Sequence, residues 1–172
     1  YKRQNELIQD SILLLEHGVS KKTEIISRLR AKDCCVKANR DLIQNMVLNL
    51  GFNARDAMPS GGKLLIATRD AEIAPEEVHN FLVKVRPGRY LELTVKDKGS
   101  GIAPENLNKI FEPFYTTKAV GKGTGLGLAA VYGIVVEHRG TIKVESSSKG
   151  TTFKIYFPLS AADVCIEKEP VV

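Results

Sequence analysis

Two glycine clusters constrain this chain more than any other feature. Asp97-Lys98-Gly99-Ser100-Gly101 closes an alternating apolar run, and Gly121-Lys122-Gly123-Thr124-Gly125-Leu126-Gly127-Leu128 leads into a helical pattern. Glycine tolerates φ > 0 and lets backbone N–H groups come close to an anion. A glycine cluster that opens a helix also points unpaired N–H groups and the positive end of the dipole at whatever sits there. The second cluster therefore predicts a phosphate cradle, and the first a tight turn that presents one carboxylate. Neither has the spacing of a P-loop or of the dinucleotide fingerprint. A nucleotide held here would be bound in another way.

Between the clusters lie an aromatic–proline knot, Phe111-Glu112-Pro113-Phe114-Tyr115, and the polar segment Thr116-Thr117-Lys118. Upstream, apolar spacing at Leu7, Ile8, Ile12 and Leu15 predicts an amphipathic helix over 5–16, ended by Gly18. Strands are predicted at Thr23 to Leu29 and, shorter, at Cys34 to Lys37. Asn39 or Asp41 can cap the next helix, which runs to about Met58 and stops at Pro59-Ser60-Gly61-Gly62. Lys63 to Arg69 reads as a strand, and the polar excursion to Pro87-Gly88 as a loop or an extended hairpin. Tyr90 to Lys96 alternates and delivers Asp97 at its end. A short helix is expected over Pro104 to Ile110 and a long one over Thr124 to His138, with Leu128, Ala129, Tyr132, Val135 and Val136 inward and Gly140 as its stop. Strands Thr141 to Ser146 and Thr151 to Phe157 follow, and the tail from Ser160 reads as a linker. This gives one domain over 1–160 and a tail over 161–172.

The helix after Asn39 is informative. Ile43, Val47, Leu50, Ala54 and Ala57 form its apolar stripe. Asn49, Asn53 and Asp56 share a neighbouring face. Asn and Asp are poor helix-interior residues because they compete with the backbone for hydrogen bonds. A solvated face normally carries Lys, Glu and Arg, so a column of short oxygen-bearing side chains points to hydrated Mg²⁺ and phosphates. Mg²⁺ keeps several waters and uses few protein ligands.

Composition bounds the remaining classes. The chain has 172 residues, 43% hydrophobic and 26% charged, as in a globular domain with a real core. No apolar run approaches the ~20 residues of a membrane span. A net charge of +5 suits a solvated lysine-rich surface or attraction to a polyphosphate. No aromatic–basic interleaving favours RNA or single-stranded DNA, so no nucleic-acid partner is expected. Cys34, Cys35 and Cys165 lack metal spacing and an even count, which suits a reducing compartment. The chain begins with Tyr1, as expected of a piece of a longer protein.

Taken in order, NLGFNARDAMPSGG, DKGSGI, FEPFYTTK and GKGTGLGL, with GTTF at Gly150 to Phe153, resemble the N box, first glycine box, F box and second glycine box of the ATP-binding catalytic domain of two-component sensor histidine kinases. That group is related to DNA gyrase, MutL and a major heat-shock chaperone. The resemblance covers nearly the whole chain, and four motifs in order are far more specific than one. It implies a Bergerat-type α+β two-layer sandwich, with a mixed, mostly antiparallel sheet covered on one face by three helices.

The resemblance also implies roles. Asp97 would accept the adenine amino group, Gly99 and Gly101 would let the base lie against the backbone, Ile102 would line its pocket, and Thr151 would reach the same edge. Asn53, with Asn49 a turn earlier, would hold Mg²⁺ and through it the triphosphate. Gly123, Thr124, Gly125 and Gly127, with the amides of Leu126 and Leu128, would cradle the phosphates. Residues 115–123 would form a mobile ATP lid, with Phe114 its hinge-side anchor and Lys118 or Lys122 its phosphate contact.

Where many relatives carry a basic residue three positions after the N-box asparagine, this chain has Asp56, with Arg55 one position earlier, so the group that neutralises the γ-phosphate stays open. The gyrase-type general base is replaced by Asn49, which argues against self-contained hydrolysis and for a kinase, where catalysis is positioning and charge neutralisation. His17, His79 and His138 lack the phosphoacceptor pattern and read as surface or partly packed residues. The expected acceptor is a histidine on a dimerising helical segment of the same parent protein, and the next partner a response-regulator receiver domain. The expected location is cytoplasmic, whether or not the parent is membrane-anchored. The competing readings are a serine kinase or ATPase on the same fold, and a non-catalytic nucleotide-sensing or docking module. Intact glycine boxes, Asp97 and Asn53 weigh against the last.

Overall fold

The structure, a computed structural model, describes residues 3–19, 21–32, 36–119 and 123–159. In chain order the elements are α1 (Arg3–Gly18), β1 (Thr23–Leu29), α2 (Arg40–Ala57), β2 (Gly62–Ile73), β3 (Gly88–Asp97), α3 (Gly127–Glu137), β4 (Thr141–Ser147) and β5 (Gly150–Pro158). Short 3-10 turns sit at Pro75–Asn80 and Pro104–Asn106.

The strands make one sheet in the order β1-β2-β3-β5-β4. β1 and β2 are parallel, starting at Thr23↔Gly62, and every other pairing is antiparallel. A parallel pair needs a long crossover, and α2 supplies it. Alternation then sorts the side chains by face. Leu64, Ile66, Leu93, Val95 and Ile155 turn toward the helices, where they meet Ile12 and Leu15 of α1, Met46, Val47 and Leu50 of α2, and Val131 of α3, all at most 2% exposed. Cutting one of the leucines, isoleucines or Met46 to alanine costs on the order of 2–5 kcal/mol. On the opposite face Arg69 clasps Glu92, and the excursion between β2 and β3 folds over Tyr90 and Tyr156, with Phe81 edge-on to Tyr156 at 5.2 Å. The expected sandwich, with a mixed sheet and helices on one face, is what forms.

Asn39 caps α2, its side chain accepting from the amides of Asp41 and Leu42. The excursion is an extended hairpin: β2 and β3 stay paired out to Ile73↔Gly88, so pairing overrides the poor strand propensity of Asp70 and Glu72. Four expectations need correcting. Val36 and Lys37 are not in a strand, while Cys34 and Cys35, like the tail from Ser160, lie outside the described residues. The helix expected over Pro104 to Ile110 shrinks to a 3-10 turn at Pro104–Asn106 followed by single turns, such as Glu112 N–H to the Lys109 carbonyl at 2.9 Å. α3 starts at Gly127 rather than Thr124, because Gly125 sits at φ +67°, outside helical space. Its buried residues are Val131, Ile134 and Val135, of which only Val135 was expected, whereas Val136 is 44% exposed.

The end of α3 also differs from expectation. Arg139, not Gly140, takes the left-handed position at φ 55°. The Arg139 amide bonds the Val136 carbonyl at 2.9 Å and the Gly140 amide the Val135 carbonyl at 2.8 Å, a Schellman closure.

Candidate active site

A cavity of about 950 Å³ opens between α2, the end of β3, the chain from Ser100 to Lys118 and the first turn of α3. It brings together Asn49, Asn53, Asp97, Gly101, Ile102, Lys118, Gly123, Thr124, Gly125, Gly127, Leu128 and Thr151, residues drawn from every motif of the sequence. Its volume falls in the range of small-ligand sites.

At one end stands Asp97, 4% exposed. Its Oδ1 accepts the amides of Gly99 at 2.7 Å and Thr151 at 3.3 Å; Oδ2 accepts neither. Burial pushes this carboxyl above the usual aspartate range, against the opposing pull of the backbone N–H groups. Thr151, also buried, shares a hydrogen bond with Ser146 (Oγ1···Oγ 2.8 Å), and Ser146 accepts the Ile102 amide at 2.8 Å. Ser146 was not foreseen. The pairing Ser146↔Thr151 across the β4–β5 hairpin is the signal that could have found it.

The other end is polar and glycine-led. Asn49 commits its amide nitrogen to Asn45 at 3.1 Å, so its oxygen is turned toward Gly127. A Cβ at Gly127 would lie 3.4 Å from that oxygen and 3.8 Å from the Asn53 nitrogen. The polar column and the unpaired amides at the start of α3 therefore face each other across a gap that a glycine keeps open. Lys118 reaches in, with Nζ 2.6 Å from Asp56 Oδ2 and 3.5 Å from Asn53 Oδ1. Burial raises the Asp56 carboxyl, but the hydrogen bonds and charges of Lys118 and Arg55 outweigh it and hold the group below its ordinary value. Arg55, which also lines the cavity, bonds the Gly18 carbonyl at 3.1 Å and lies 4.9 Å over the Phe52 ring.

Three candidates are not in the wall. Gly99 backs it, its amide bonded to Asp97. Leu126 is 43% exposed. Phe114 is 75% exposed at φ 67°, and its backbone N–H holds the Gly125 carbonyl at 2.9 Å, which anchors the segment. Lys122 lies outside the described residues. His17 and His79 are exposed and His138 is half-buried, and none of the three lines the cavity. Among the described residues no cluster of three His, Cys, Asp or Glu could hold a metal, and no helix is long and apolar enough to cross a membrane.

The profile of the histidine kinase-, DNA gyrase B- and HSP90-like ATPases matches residues 38–161. The chain belongs to this ATPase family. Its histidine-kinase character is carried by its relatives. Sensor kinase CckA of Brucella abortus is 43% identical over 137 residues, 79% of this chain and 14% of that protein. Sensor histidine kinase ZraS of Escherichia coli K12 is 35% identical over 159 residues, 91% of this chain and 30% of that one. The chain thus spans less than a third of either. Among solved structures, the nucleotide-free catalytic domain of histidine kinase ThkA superposes with a TM-score of 0.70 at 30% identity, covering 90% of this chain and 91% of that domain. Within the ATPase family, then, this is a catalytic domain of the histidine-kinase type.

Proposed function

We propose that the domain binds Mg²⁺-ATP in this cavity and presents the γ-phosphoryl group to a histidine on a helical segment outside this chain, as one step of two-component signalling. The observation that carries the reading is Asp97. It is a buried carboxylate at a strand end with one oxygen held by two backbone amides, in the same cavity as the Asn49–Asn53 column and the glycine-led start of α3.

Asp97 would accept the exocyclic amino group of adenine, a donor that guanine lacks at that position. Ile102 lines the same wall. The amides opening α3 would take the phosphates, and Lys118 would supply a cation beside them. The donor set fits Mg²⁺: the amide oxygens of Asn49 and Asn53 are hard, and few in number. The metal would neutralise charge on the transferring phosphoryl group. Catalysis by this chain is then positioning and electrostatics, which suits an amide rather than a carboxylate at position 49. In the parent, a response-regulator receiver domain would take the phosphoryl group onward.

Calorimetric titration with ATP and GTP, with and without Mg²⁺, tests the reading. Preference for ATP, strengthened by Mg²⁺, is expected. With γ-labelled ATP the chain should take up little stable label. Equal binding of GTP, or no binding of either, would remove the nucleotide assignment.

A further inference from the structure

Asp56 and Lys118 make an ion pair inside the cavity, where the reading above puts phosphates. Lys118 Nζ sits 2.6 Å from Asp56 Oδ2, and the two side chains are 35% and 29% exposed. The pair joins the middle of the site to α2. The lysine stem also passes Gly123, whose Cβ position would lie 3.0 Å from Lys118 Cδ.

The two partners of Asp56 are not equivalent. Arg55 contacts it at 2.8 Å through Nη2 and 2.9 Å through Nε, and is itself fixed by the Gly18 carbonyl and the Phe52 ring. Asp56 therefore keeps a counter-ion when Lys118 leaves. Lys118, flexible and contacted here by Asp56 and Asn53, is the partner free to exchange.

We propose that Asp56 is a positioning residue that competes with phosphate oxygens for Lys118: it holds the ammonium inside the cavity until a polyphosphate binds, and then releases it to the polyphosphate. The inference rests on the nucleotide reading. It also gives a meaning to the acid at this position of the N-box helix. The carboxylate weakens anion binding by occupying the lysine, and in return keeps that cation pointed into the site.

The test is titration of Asp56→Asn, Lys118→Met and the double variant, in EDTA, with three probes. Inorganic tripolyphosphate reads the phosphate end, adenosine the base end, and ATP both. Asp56→Asn should tighten tripolyphosphate and ATP about two- to fivefold, the scale of a partly exposed pair that no longer has to be broken. Adenosine should be unaffected. The gain should vanish in the Lys118→Met background, while the unliganded Asp56→Asn protein melts slightly lower. A merely structural residue would not tighten binding when removed. Weaker tripolyphosphate binding by Asp56→Asn, or a gain of equal size without Lys118, overturns the proposal. Asp56→Ser should give the same sign if the amide disturbs Arg55. Failure of adenosine and ATP to bind the unaltered chain would instead defeat the nucleotide reading, and the tripolyphosphate arm would still judge the pair.

Discussion

The backbone amide of Asn39 donates to Nε2 of His138 at 3.0 Å, across 99 positions of sequence. Nδ1 of the same ring lies 2.7 Å from the Ile134 carbonyl, which can only accept, so the imidazole is the neutral tautomer with its proton on Nδ1. Asn39 caps α2 and His138 ends α3. One ring thus ties the helix bearing Asn49 and Asn53 to the helix whose start faces them. His138→Ala should lower unfolding stability by about 1 kcal/mol, the usual scale of one hydrogen bond with its amide left unsatisfied. Glutamine should recover part of it. An unchanged urea midpoint for the alanine variant would show that the tie is idle.

Asp97→Asn should fold and yet lose adenine. Its amide oxygen can replace Oδ1 against Gly99 and Thr151, which forces the NH₂ to the position facing the base, donor against donor. A loss of about tenfold or more in adenosine affinity is expected for a charged hydrogen bond replaced by a mismatch.

Acidification should act on Asp97 in two opposite directions. Its carboxyl is raised in the folded protein by burial, so the native state takes the proton before the unfolded chain does. Its contribution to stability therefore improves as pH falls through the folded value. In the proposed site adenosine binding would need the charged form and should weaken at a pH above the ordinary aspartate range. Titrating adenosine rather than ATP keeps phosphate ionisation out of the measurement. Affinity that is flat through that range would contradict the assignment.

Gly125 and Gly127 should fail differently. A side chain at Gly125 meets the Phe114 carbonyl oxygen at 2.6 Å and a backbone φ of +67°, so Gly125→Ala should disturb the whole segment. Gly127→Ala adds its methyl in ordinary contact with Asn49, 3.4 Å from Oδ1. It should keep the wild-type melting temperature, leave adenosine binding intact and weaken ATP by about tenfold, the scale of one lost charge-assisted contact. Equal losses for adenosine and ATP would mean that the gap is not where phosphates go.

On the open face, Glu92 is 3% exposed and accepts from Arg69 at 2.8 and 2.6 Å and from Thr94 at 3.0 Å. Burial alone would raise its carboxyl, but Arg69 and Thr94 outweigh it and the group sits below its ordinary value. Such a group stabilises above the unfolded value and loses that contribution as pH falls through the folded one. Glu92→Gln should cost about 1 kcal/mol at neutral pH, a modest figure because Arg69 is 65% exposed. The two proteins should converge in denaturant titrations well below pH 4.5, the ordinary glutamate value. A constant gap would assign the loss to packing.

What could be read from the sequence follows the strength of its periodicity. β1 was legible to the residue, and α2 nearly so, because its stripe, its Asn39 cap and its Pro-Gly stop agree. Asp97 at a strand end followed from clean alternation along Tyr90 to Lys96. The inner face of α3 was legible at Val135 but not beyond it, because GLAAVYGIVVE is apolar all round and offers no stripe to choose between Val131 and Val136. The start of α3 was hidden by a left-handed glycine that looks like any other in a string. Ser146 and the Lys118–Asp56 pair depend on strand register and on a contact between segments 62 residues apart, neither of which local patterning encodes.

The hairpin that carries Thr151 has one more consequence. A Cβ on Gly150 would fall against the Asp97 carbonyl, and one on Gly101 against the carbonyl of Ser147. Main chain is stacked on main chain there, leaving no room for a methyl group and no side chain to trim. A wider pocket cannot be reached by the usual large-to-small exchanges at these positions. Against these two glycines, any retuning of the cavity would have to work by chemistry rather than by size, through the carboxylate of Asp97 and the hydroxyl pair of Thr151 and Ser146.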